Sequence, residues 1–142
     1  MTCLDTGCLL KLYYPEPNSV SVAAVVSGKV LVFPALHELE TVTALQLKRF
    51  RGEATAEQAE AAMRLVRGDL ASGKLAQPPG NWPLVLRDAA ELAGTHSESR
   101  GCRSLDVLHC ALALALNTEK FVSSDTRQIA VATAMGLNVV AI

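Results

Sequence analysis

The chain has 142 residues, half of them hydrophobic, with alanine and leucine at 21 each and a formal net charge of −1. High hydrophobicity with so little charge excludes intrinsic disorder, and no stretch approaches the ~18 consecutive apolar residues of a membrane span. Thirteen basic against fourteen acidic residues exclude a protein that grips nucleic acid by bulk charge alone, though not a nuclease whose acids are neutralised by metal. In chain order, the spacing predicts a first strand at Thr2–Asp5 and a helix through Leu9–Tyr14, ended by Pro15 and Pro17. Asn18 or Ser19 caps a second helix through Val26, stopped by Gly28, and Lys29–Phe33 reads as a buried strand. Pro34 opens a long helix over Ala35–Phe50. Thr55 and Gln58 have capping-box spacing for another helix, which runs to Ser72-Gly73.

Leu75-Ala76-Gln77 is a short edge strand, and a helix runs from Pro83 to Ala93-Gly94. Ser104–Leu116 contains LDVLHCALALAL, apolar on nearly every face and therefore internal. Phe121-Val122-Ser123 is a strand, Thr126–Ala134 a helix with Gly136 as its C-cap, and Leu137–Ile142 the last strand. Strands alternating with helices predict one α/β domain over residues 1–142. Its parallel sheet of four to five strands is covered on both faces, a three-layer α/β/α sandwich with right-handed crossovers. Cys3, Cys8, Cys102 and Cys110 form no CxxC pair. A structural zinc site is therefore not expected, and they read as small buried hydrophobes in a reducing cytoplasm. The opening MTCLDTG has no basic stretch and no apolar run, so a secretory leader is not expected either.

In open parallel sheets the working site lies beyond the carboxyl ends of the strands. Asp5 ends the first strand, and Asp125 follows Phe121-Val122-Ser123. Glu40 lies in the first turns of the helix after Phe33, and Asp106 in the first turn of the helix from Ser104. Four carboxylates gathered on that face repel one another unless a divalent cation neutralises them, and oxygen-only ligands suit Mg²⁺ or Mn²⁺. Acidic residues also complement helix dipoles and cap free N–H groups, so spacing alone leaves a structural and a metal-binding reading both open.

The residues around these acids resemble a known family. Leu4-Asp5-Thr6-Gly7-Cys8-Leu9-Leu10-Lys11-Leu12-Tyr13 is similar to the LDTSxLLKLY start of PIN-domain ribonucleases of the VapC toxin type. Leu36-His37-Glu38-Leu39-Glu40 with Ala44-Leu45 is similar to that family's acidic position and small–Leu pair. Cys102–Ala111 resembles its RxLDxLHxA segment, and Phe121–Asp125 with Arg127-Gln128 and Ala134–Leu137 resembles its FxTxDxRQ…AxxxGL ending. The resemblance covers essentially the whole chain. It implies a Mg²⁺- or Mn²⁺-dependent endoribonuclease with Asp5, Glu40, Asp106 and Asp125 as metal-binding and catalytic acids around one or two ions. It also implies an RNA substrate, a cognate antitoxin and a homodimer. Two departures stand out: Gly7 replaces a usual Ser or Asn, and Ser124 replaces an aromatic residue or Thr. Glu38 competes with Glu40, but residues two apart on a helix point ~200° apart, so only one faces a given ion. Glu40 keeps the small–Leu pair four and five residues on.

Setting the four acids aside leaves ten acids against thirteen bases, a modest positive excess suited to guiding RNA phosphates. Lys48, Arg49 and Arg51 are candidate backbone contacts or helix-end charges, and Arg103 either caps a carboxylate or touches phosphate. His109, three residues after Asp106, reads as a packing residue. Two other phosphoryl-transfer folds fit poorly. A haloacid-dehalogenase-type phosphatase needs an acid where Gly7 stands, and a receiver domain needs a lysine at the end of the Phe121 strand. A PIN-like domain that binds RNA or protein without cutting is the non-enzymatic alternative.

Overall fold

The computed structural model describes every residue from Met1 to Ile142. In order, its elements are β1 (Thr2–Leu4), α1 (Thr6–Leu10), α2 (Ser19–Val26), β2 (Leu31–Val32), α3 (Ala35–Phe50) and α4 (Ala56–Ala71). There follow β3 (Leu75–Ala76), α5 (Trp82–Arg100), α6 (Ser104–Ala115), β4 (Lys120–Ser123), α7 (Thr126–Ala134) and β5 (Val139–Ala141). The strands form one parallel five-stranded sheet in the order β3-β2-β1-β4-β5 within an α/β/α fold. The chain leaves β1 towards one edge, returns, and leaves β4 towards the other. The β1–β4 boundary is therefore the topological switch point, where such sheets open a crevice.

Two compact units make up the chain, Met1–Asp5 with Pro78–Ile142, and Thr6–Gln77. In the first, Thr2, Cys3 and Leu4 pair with Lys120, Phe121 and Val122, and β4 continues the ladder into β5. Cys3, Leu4, Phe121 and Val122 are fully buried, as continuous apolar runs of a sheet covered on both faces must be. α6 buries Val107 and every residue from His109 to Ala113, so more than one of its faces is internal. Each large apolar side chain buried there contributes about 1.5–3 kcal/mol.

α5 runs six residues beyond the expected stop at Gly94, because a glycine inside a helix costs only about 1 kcal/mol relative to alanine. The stop is Gly101, whose φ of 63° is left-handed and whose N–H donates to the Ser97 carbonyl.

In the second unit α1 starts directly after Asp5 and ends at Leu10, earlier than expected. Leu12 and Tyr13 then close tight turns by donating to the Leu9 and Leu10 carbonyls. β2 is shorter than predicted because Lys29 and Val30 stay in solvent, while Leu31 and Val32 pair with Leu75 and Ala76. The α4 capping box forms as its spacing predicts. Gln58 N–H donates to Thr55 Oγ1 at 3.1 Å, and Thr55 N–H donates to Gln58 Oε1 at 2.8 Å. Tyr13 Oη donates to Asp69 Oδ2 at 3.0 Å and ties the loop after α1 to α4.

Candidate metal centre

Asp5 follows the last residue of β1, and its backbone N–H continues the ladder to the Val122 carbonyl at 3.0 Å. That bond holds Asp5 at the carboxyl end of the switch-point strand with only 5% of its surface exposed. Asp125 stands two residues past β4, where its N–H donates to Ser123 Oγ at 3.1 Å. It caps α7, Oδ1 accepting from the Arg127 and Gln128 N–H groups at 2.8 and 3.1 Å. Oδ2 is left available.

Asp106 is 6% exposed in the first turn of α6. Its Oδ2 accepts from Arg103 N–H at 2.8 Å and Arg103 Nε at 3.2 Å, while Oδ1 accepts from Arg103 Nη2 at 3.3 Å. Burial pushes the Asp106 carboxyl up, but the hydrogen bonds and charge of Arg103, with the charge of Arg127, outweigh it and leave the group below its usual value. Its hydrogen bond and charge contact with Asp106, and the more distant charge of Asp125, raise the Arg103 guanidinium in turn.

Two groups report how the three aspartates relate. The Cys110 thiol, one turn after Asp106, is pushed up to about 12 by burial first, then by Asp106, Cys102 and Asp5. Asp5 and Asp106 therefore act on one sulfur, while Asp106 and Asp125 act on one guanidinium. The Cys3 thiol is raised further, by burial first and then by Cys110 and Asp5. Gln128, to which the motif reading gave no separate role, links two of the acids. Its N–H meets Asp125 Oδ1, and its Nε2 donates to the Asp106 carbonyl at 3.3 Å. Only a tertiary structure reveals that link, since the two residues joined are 22 apart in sequence.

Glu40 belongs to the Thr6–Gln77 unit, where its Oε2 accepts from Thr6 Oγ1 at 2.6 Å. Glu38 is exposed. Thr6 is the residue after Asp5, so one peptide bond separates the first acid from the hydroxyl that holds the second. As the side chains stand, no three His, Cys, Asp or Glu residues are grouped closely enough to share one ion. Lys48 is held by Glu16 and Glu53, with its ammonium 5.0 Å from the Tyr14 ring centre, so its place is structural. Arg49 donates to Gln46 Oε1 at 2.9 Å, and His109 is buried within α6, as a packing residue would be.

A family model described as PIN domain matches residues 2–134 and takes in all four acids. No curated protein matches the chain. Among solved structures, a chain of the crystal structure of FitAcB from Neisseria gonorrhoeae is similar, with a TM-score of 0.54 and 16% identity, over 98% of this chain and 96% of that one. At that identity the likeness concerns the fold. With the family match running from β1 to the end of α7, this chain belongs to the PIN domain family.

Proposed function

We propose that the chain is a Mg²⁺- or Mn²⁺-dependent endoribonuclease whose metal-binding acids are Asp5, Asp106, Asp125 and Glu40. The observation that carries the reading is the pair of buried carboxylates, Asp5 at the carboxyl end of β1 and Asp106 in the first turn of α6. PIN domains are generally nucleases that use divalent ions, and the donor set here suits such an ion. Every candidate ligand atom is a carboxylate oxygen, the choice of hard cations. Burial raises the Cys3 and Cys110 thiols, which disfavours their thiolate forms.

A bound divalent ion lowers the pKa of a coordinated water and polarises a phosphoryl oxygen. The chain's own residues do the positioning. Asp5 is fixed by the β1–β4 ladder, and Asp106 by its own helix start. Asp125 uses one oxygen as a cap and offers the other. Glu40, steadied by the Thr6 hydroxyl, binds directly or through water. The test is cleavage of RNA by purified protein with Mg²⁺ or Mn²⁺, beside EDTA and Asp5→Asn. Loss of cleavage in both controls is expected; cleavage that persists in both overturns the metal mechanism and the residue set.

We further read the chain as the toxin of a toxin–antitoxin pair, working in the cytoplasm as a homodimer that a cognate antitoxin restrains. Supporting a protein partner, α3 leaves Leu39, Val42, Leu47 and Phe50 in water on one side, with Phe50 88% exposed. No helix is long and apolar enough to cross a membrane. Light scattering on the isolated chain should give twice the 15.1 kDa chain mass.

A further inference from the structure

Asp106 would be a ligand under the reading above, yet both of its oxygens are already engaged by a cation of this chain. The Arg103 guanidinium meets Oδ1 through Nη2 and Oδ2 through Nε, and the Arg103 backbone N–H meets Oδ2 as well. Asp106 is almost wholly buried, so the fork occupies acceptor sites on both oxygens that a second cation would need. The guanidinium, by contrast, belongs to a side chain 67% exposed, with water to turn into. Arg103 precedes α6, so a turn of its side chain leaves the helix intact. The backbone bond at 2.8 Å would still hold Asp106 in place.

We propose that Arg103 and a divalent ion compete for the Asp106 carboxylate, making Arg103 an internal counter-ion that must release Asp106 before the ion is bound. The inference rests on the metal-binding reading of Asp106. Asp106 is a buried carboxylate, and the guanidinium of Arg103 is the charge that compensates it within the fold. An ion pair with one partner in solvent is weak enough for a divalent ion to displace. The consequence is a reduced apparent affinity, since only molecules with the fork open bind the ion. Arg127 provides the internal comparison, because its charge acts on Asp106 without a hydrogen bond.

The experiment measures Mn²⁺ binding by electron paramagnetic resonance, without RNA, for the wild type, Arg103→Ala, Arg103→Gln and Arg127→Ala. All are checked for folding by circular dichroism. Arg103→Ala and Arg103→Gln are expected to bind Mn²⁺ about three- to tenfold more tightly than the wild type. Arg127→Ala, which removes only screened charge, should gain about twofold or less. In parallel, the Arg103 Nε–H nuclear magnetic resonance signal should shift in step with Mg²⁺ uptake by the wild type. Equal Mn²⁺ affinity across the folded proteins, or an Arg103 signal that stays still while Mg²⁺ binds, overturns the competition and leaves the metal reading standing. Absence of Mn²⁺ binding in every folded protein overturns the metal reading, and the competition with it.

Discussion

Thr6 donates its hydroxyl to Glu40 at 2.6 Å, a short bond to a carboxylate from the residue that directly follows Asp5. If Glu40 is a metal ligand as proposed, this is an outer-shell bond that aims it, and losing such a bond typically costs 10–100-fold in metal affinity. Thr6→Val keeps the shape and removes the donor. It is expected to weaken Mn²⁺ binding about tenfold, while Thr6→Ser stays near wild type. Isothermal titration on the two variants checks this, and wild-type affinity in Thr6→Val would remove Thr6 from the site.

Under the proposed metal site Asp125 has two duties that substitution can separate. As N-cap of α7 it needs only an acceptor oxygen, which asparagine also supplies; as a metal ligand it needs charge. Asp125→Asn should therefore keep wild-type stability in urea, whereas Asp125→Ala loses about 0.5–2 kcal/mol. Both should lose the rise in Tm that millimolar Mn²⁺ gives a protein with a site for it. Retention of the Mn²⁺-induced rise in Asp125→Asn would leave the residue as a cap alone.

Gln128 joins α6 to α7 from a buried position, its amide donating to the Asp106 carbonyl. Gln128→Leu fills similar space but removes this second bond to a carbonyl that keeps the Cys110 N–H of its own helix, at a cost of about 0.5–1.5 kcal/mol. Urea denaturation measures the loss. A stability equal to wild type would mean that water replaces the amide.

These relationships mark where sequence reasoning reaches and where it stops. The alternation of strands and helices was legible because β4 and α6 carry their periodicity in runs of apolar residues, and the family resemblance followed from the ordered motifs. The Thr55–Gln58 box was legible because a cap is a local bond at fixed spacing. The end of α5 was not, since Gly94 and Gly101 differ only in backbone conformation, which residue type does not encode. The four acids were visible as residues at strand ends and helix starts. Their bonding was not: whether Arg103 reaches Asp106 or solvent depends on a rotamer, and Gln128 meets Asp106 only after α6 and α7 pack. Gly7, where the family usually has Ser or Asn, suggested a missing polar contact. The neighbouring Thr6 hydroxyl bonds Glu40, a contact that residue type alone does not reveal.

Cys110 makes stability depend on alkaline pH. Burial, with Asp106, Cys102 and Asp5 around it, pushes the folded thiol up to about 12, whereas an unfolded cysteine ionises near ~8.5. A raised folded value means that the stabilisation is fully present below the unfolded value. It is lost as pH rises from there towards the folded value, because the unfolded chain sheds a proton that the folded one keeps. The slope is about 1.4 kcal/mol per pH unit for one such thiol. Urea denaturation in EDTA at pH 8, 9 and 10 should show this decline. Cys110→Ala, though less stable at pH 8 from lost packing, should decline less steeply by about that amount. None of the four cysteines is in a disulfide and all are buried, so native protein at pH 8 should resist a thiol reagent and release four thiols on unfolding. Rapid labelling of Cys110 in the folded state, or the same slope in Cys110→Ala, would mean that the thiol ionises where it lies and that the carboxylates around it do not oppose its charge.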